Sequence, residues 1–243
     1  MLVLGVPAER IRAFGSAWSD GGLWDDISWL ADRAWAAPDD DERQVRWHHL
    51  VMAIGNFKRQ NGRRLRPGRI APAHTTEHTA RHDGFRVPAG PEVICDDARS
   101  WTRLEQCLGG AAAARTTTIL AALWPDRHHV LDWRVLAAVT GLGIHAGGQE
   151  NLGLAEAGSR TQLQPTLDHY AKVRTLLIRH GNQAGLPITT LERALYLMSR
   201  TVQGKDMTWA EYGAALAATT APGSRADNDG TSDDEQEIPP SAP

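Results

Sequence analysis

The sequence predicts an all-α protein, on three observations. Apolar residues recur at helical spacing in several stretches: Leu23, Ile27, Leu30 and Ala34; Leu50, Ile54 and Phe57; Leu167, Tyr170, Val173 and Leu177. Thr189 with Glu192 and Thr208 with Glu211 fit a capping box, in which the hydroxyl accepts the third helical amide and the acid reaches back. Alternating strand patterns are weak and no internal repeat occurs. At 42% hydrophobic content, 243 residues can enclose one large core or two small lobes.

The first two stripes predict N-terminal helices around residues 23–34 and 50–57. From 62 to 91 the pattern dissolves into Pro, Gly, His and Arg, a long irregular connection of the kind that carries function or motion. Helices resume over 96–108 and 112–123, with the glycine pair Gly109-Gly110 between them. An extended turn then leads to Asp132, an apolar helix over 135–139 follows, and a Gly-rich loop is expected over 141–158. The stripe from Leu167 predicts a helix ending near Gly181, read as the glycine just past its C-terminus. The last two helices begin near Thr190 and Trp209.

Composition narrows the functional classes. No run of 18 apolar residues exists, so no membrane span is expected. The N-terminus has no basic stretch ahead of its short apolar run, which argues against a signal peptide. The two cysteines, Cys95 and Cys107, form no CxxC pair, which suggests a reducing, cytoplasmic setting and disfavours structural zinc. His74, His78 and His82 would share a helical face, but Pro72 and the polar setting do not promise a helix, and neither metal nor cofactor is expected. The net charge of −3 comes from the C-terminal tail, 222–243, whose six acids against Arg225 leave residues 1–221 at +2. That tail, rich in Pro, Gly, Ser and Asp, is expected to be disordered, and residues 1–221 form the folded domain.

The chemistry concentrates in residues 104–137. Glycines let a backbone approach closely, and the following helix start offers unpaired N–H groups and a positive dipole end. Gly109, Gly110 and the amides after them therefore suit a phosphate, as they equally suit a cap between two packed helices. Arg115 stands in the first turn after this hairpin. Asp132 precedes an apolar helix, so it is an N-cap candidate, and a capping carboxylate is also rigid, ionised and aimed. Lys58, Arg59, Arg63, Arg64, Arg66 and Arg69 lie within 57–70 with no acid among them, a run that suits phosphates or plain solvent. Nine tryptophans are present; most are expected in the core, but flat side chains also hold flipped bases, and Trp133, Trp24 and His128 are the pocket candidates.

The phrase TILAALWPDRHHVLDWRVL, with its apolar helix, Pro-Asp-Arg turn and apolar-Asp-x-Arg run, resembles the core of the helix-hairpin-helix DNA glycosylases. The segment TLERALYLMSR resembles the closing helices of their bacterial, 8-oxoguanine glycosylase-like branch. The resemblance covers roughly residues 96–200 and implies a two-lobed helix-hairpin-helix DNA glycosylase-like fold. The N-terminal and last helices would share one lobe, and Asp132 would lie at the cleft. Two departures stand out. The hairpin reads Leu108-Gly109-Gly110-Ala111-Ala112, where the family carries apolar-Pro-Gly-apolar-Gly. The strand-nicking members have a nucleophilic Lys about one helix before the Asp, where this chain has Ala112, Ala113, Ala114 and Arg115. Arginine does not lose its proton and cannot attack as an amine. The resemblance therefore implies a monofunctional enzyme that uses water, with Asp132 as its catalytic residue. Its partner would be double-stranded DNA with a modified or damaged base, bound by a monomer. The irregular segments leave room for a bulky adduct, as in antiphage glycosylases that remove glucosylated hydroxymethylcytosine; oxidised guanine is the other substrate. A catalytically silent DNA-binding module and a helical adaptor are the competing classes.

Overall fold

The computed structural model describes residues 1–18, 23–59, 96–107, 113–147, 152, 163–202 and 207–221. These residues are mostly helical, as the periodicity predicts. They begin with a feature the sequence does not announce, a two-stranded antiparallel hairpin of β1 (Leu2–Val3) and β2 (Val6–Pro7), in register Leu2 to Pro7 and Val3 to Val6. Its turn places Leu4 at φ 50, a left-handed conformation costing roughly 1–2 kcal/mol for a residue with a side chain. Burial of Val3, Leu4 and Val6 offsets that cost.

The helices are α1 (Ala8–Ala17), α2 (Leu23–Trp35), α3 (Asp40–Arg59), α4 (Ala98–Cys107), α5 (Ala113–Leu123), α6 (Trp133–His145), α7 (Leu167–Ala184), α8 (Ile188–Thr201) and α9 (Trp209–Ala218). Ile27, Leu30 and Ala34 are buried as the first stripe predicts, and so are Leu50 and Ile54. Tyr170, Val173 and Leu177 line the buried face of α7. Asp97 caps α4, accepting the amides of Ser100 at 2.8 Å and Arg99 at 2.9 Å, which hold its carboxyl below its ordinary range.

Two packing groups share one continuous core. Helix α6 lies between α8 and α9, α1 packs on α8, and α7 touches β1, α5, α6 and α8. Helices α2 and α3 pack on each other and on α5, which also carries α4. Of the N-terminal helices, α1 thus joins the last helices, whereas α2 and α3 pack chiefly with the middle of the chain.

Three local expectations are corrected. The Gly-rich segment from 141 is helical to His145, because α6 and α9 cross there in near backbone contact. A Cβ on Gly213 would stand 2.0 Å from the Gly141 carbonyl oxygen, so small residues here serve a helix crossing. Helix α7 continues through Gly181 and ends at Gly185, which takes the left-handed conformation, φ 62 and ψ 40. Helix α8 begins at Ile188 after Pro187, with no side-chain cap, so the Thr189–Glu192 box does not form. Proline fixes the entry, and burial of Ile188 draws the first turn into the core. The Thr208–Glu211 box forms as predicted, with Thr208 Oγ1 accepting the Glu211 amide and Glu211 Oε2 accepting the Thr208 amide. A second box, unforeseen, opens α7 with His169 in place of the acid and Thr166 as cap.

Candidate active site

Asp132 is set by the chain between α5 and α6. After α5, the amides of Arg127 and His128 both donate to the Trp124 carbonyl, turning the chain. Residues 128–131 then run across the end of the core, with His128, His129 and Leu131 fully buried. The Leu131 amide donates to Thr117 Oγ1 at 3.0 Å, tying the loop to the middle of α5. Asp132 follows in extended conformation, φ −94 and ψ 155, and caps α6. Its Oδ1 accepts the Arg134 amide at 2.9 Å and lies 3.7 Å from Arg134 Nη1. The Asp132 side chain keeps 24% of its surface exposed, so the carboxylate is anchored yet reachable.

An aromatic and cationic surround frames it. The Arg134 guanidinium stacks over Trp133 at 4.4 Å and lies 5.6 Å from the Tyr196 ring, which also carries Arg200 at 5.9 Å. Trp133, a predicted pocket residue, is half-buried, follows Asp132 in the chain and lies under Arg134. Tyr196 and Arg200 come from α8, more than sixty residues away in the chain, and local sequence gave no sign that they belong here.

His128, the other predicted pocket residue near Asp132, is a core residue instead. Its ring is fully buried, with Nδ1 against the Tyr170 hydroxyl and Nε2 2.9 Å from Asp96 Oδ1, a short contact off the hydrogen-bonding direction. Arg174 donates to Asp96 Oδ2 at 3.2 Å and to the Arg127 carbonyl at 2.8 Å. Trp101 packs edge-on against both His128 and Tyr170. His129 stacks on Tyr170 at 4.9 Å, and neither of its ring nitrogens has a hydrogen-bond partner. Burial lowers His128 to about 4, against the opposing pull of Asp96, and lowers His129 to about 3. Burial likewise pushes the Tyr170 hydroxyl up. Both imidazoles are therefore neutral at neutral pH, and His128 Nδ1 shares a hydrogen bond with the Tyr170 hydroxyl. This cluster is a buried brace for the loop leading to Asp132. Outside it, Asp126, Arg127, Arg174 and the turn between α7 and α8 enclose a groove of about 260 Å³ that Asp132 does not line.

The remaining predicted residues lie apart or beyond the described residues. Trp24, half-buried, is in the first turn of α2, among the helices packed with α5. Arg115 is half-buried in the first turn of α5, where the sequence places it. Lys58 and Arg59 end α3, their side chains outside the described set. Arg63, Arg64, Gly109, Gly110 and the tail 222–243 lie outside the described residues. No three His, Cys, Asp or Glu side chains among the described residues converge as metal ligands, and no described helix is long and apolar enough to cross a membrane. No protein-family model, curated protein or solved structure matches the chain.

Proposed function

We propose that this protein is a monofunctional DNA glycosylase that hydrolyses the N-glycosidic bond of a flipped, modified base and leaves an abasic site. The observation that carries the reading is Asp132: a carboxylate held by its own helix start, fed by a pinned loop, part exposed, and flanked by Trp133 and Arg134. The target nucleotide leaves the stack to reach it. As the C1′–N bond stretches, the sugar gains positive charge, which the carboxylate stabilises. The base leaves with the C1′–N electron pair and takes a proton from solvent, while water held by the same carboxylate loses its proton to it and attacks C1′. The cap supports this chemistry, because the Arg134 amide holds the carboxylate in one orientation. With alanine and arginine in place of a lysine before the Asp, water is the nucleophile of this reading.

The test is base release. Wild type and Asp132→Asn are incubated with normal DNA, oxidised-guanine DNA and phage DNA carrying glucosylated hydroxymethylcytosine, and abasic sites are counted. Release by wild type alone supports the reading, and the responding DNA names the substrate class. A second reading, a catalytically silent DNA-binding module, is favoured by the hydrogen bond that the Arg134 amide donates to Asp132, which a cap alone explains. It requires salt-sensitive binding without base release from any of the three.

A further inference from the structure

Helix α8 carries Arg193, Tyr196 and Arg200 at positions i, i+3 and i+7, one face of the helix. The Arg193 guanidinium lies 4.4 Å from the Trp18 ring, just past the end of α1. Arg200 and Arg134 both lie over Tyr196, and Arg134 also over Trp133. The pair Trp18–Arg193 and the run Arg200, Tyr196, Arg134 and Trp133 thus share α8, and Arg134 carries the run to the carboxylate of Asp132. Arg200 is exposed and the other members are half-buried. Among the described residues no carboxylate is in ion-pair distance of Arg193 or Arg200, although Glu192 adjoins Arg193 in the chain. A guanidinium stacked by its face keeps its in-plane N–H fork for an outside acceptor, and the ring beneath limits the freedom it loses on binding. Arg193 and Arg200 are about 10 Å apart along the helix axis. That length matches about three base-pair steps of rise along a duplex axis.

We propose that Trp18, Arg193, Tyr196, Arg200 and Arg134 form a docking strip for the phosphate backbone of the DNA strand whose nucleotide is presented to Asp132. The choice of DNA over another polyanion rests on the glycosylase reading. The strip draws on residues other than the glycine pair and the basic run at 58–69, and it places a further phosphate contact on the α8 side of the carboxylate.

The experiment measures affinity of the full chain for a labelled duplex by fluorescence anisotropy between about 50 and 200 mM salt. The variants are Arg193→Gln with Arg200→Gln, and the exposed single change Arg200→Glu as a milder test of folding. Lys172→Gln with Arg99→Gln removes the same charge elsewhere on the surface. We expect the Arg193/Arg200 variant to bind more weakly, with the slope of log affinity against log salt smaller by about 2. Arg200→Glu follows in the same direction and the Lys172/Arg99 control keeps the wild-type slope. An unchanged slope in the Arg193/Arg200 variant overturns the strip, as does wild type without salt-dependent DNA affinity. Competition by polyglutamate as effective as DNA of equal charge also overturns it, in favour of an acidic protein partner. Base release with an unchanged slope leaves the glycosylase standing and the strip refuted. A reduced slope without base release from any DNA does the reverse.

Discussion

The hydroxyl of Thr117, in the middle of α5, accepts the amide of Leu131 at 3.0 Å, one residue before the candidate catalytic carboxylate. Thr117 is fully buried, so this bond has no solvent substitute. Thr117→Val keeps the shape but strands the Leu131 amide, at a cost of about 1–3 kcal/mol. We expect a lower urea midpoint and, in the fraction that stays folded, slower base release, because Asp132 loses its fixed approach. Thr117→Ser restores both. A Val variant as stable and as active as wild type contradicts the tie.

Capping and catalysis separate at Asp132 itself. Asn caps a helix about as well as Asp, whereas Ala does not, costing about 1 kcal/mol. Asp132→Asn should therefore unfold within a few tenths of a kcal/mol of wild type, while its base release collapses and its DNA affinity is kept. Asp132→Ala should lose both stability and turnover. The comparison needs denaturant melts and single-turnover base release on the same samples. Turnover by the Asn variant near the wild-type rate refutes the catalytic role.

The crossing of α6 and α9 sets a limit on side-chain size. At 2.0 Å from the Gly141 carbonyl oxygen, the new methyl of Gly213→Ala cannot fit without moving a backbone. Overpacking a tight contact usually costs about 1–3 kcal/mol and more when backbone must shift, so we expect a loss of at least about 3 kcal/mol in urea unfolding. A loss within experimental error shows that the helices do not cross so closely.

What the sequence made legible was local. Ile27, Leu30 and Ala34 bury themselves because their spacing is the helix period, and Thr208 with Glu211 closes a box because both partners sit in one turn. Asp132 could be found because a cap and an aimed carboxylate ask for the same residue ahead of the same apolar helix. What stayed hidden was set by distant partners. Gly141 reads as loop until Gly213, far along the chain, supplies the helix it must touch. His128 reads as a site residue until Asp96 and Tyr170 turn its ring inward. Tyr196 and Arg200 look like an ordinary amphipathic helix until α8 packs on α6 and brings Arg134 over the ring.

The buried histidines give the fold a pH dependence with a definite sign. In the native protein His128 is held to about 4 and His129 to about 3, each by burial first. In the unfolded chain both titrate near the ordinary value of about 6.5. Between these values the unfolded chain binds more protons, so acid favours unfolding. The stabilisation is fully present above pH ~6.5 and is lost as pH falls toward ~4 for His128 and further for His129, by about 1.4 kcal/mol per pH unit for each ring. Urea midpoints at several pH values from neutral to about 4.5 should therefore drop steeply on the acid side. His129→Leu isolates one ring. Neither nitrogen of His129 has a hydrogen-bond partner, so an apolar side chain of similar size should be neutral or stabilising at neutral pH. It should also remove that ring's share of the acid slope, leaving the shares of His128 and of the part-buried His48, His49 and His169. A His129→Leu protein with the full wild-type slope shows that the buried imidazole is not what acid attacks.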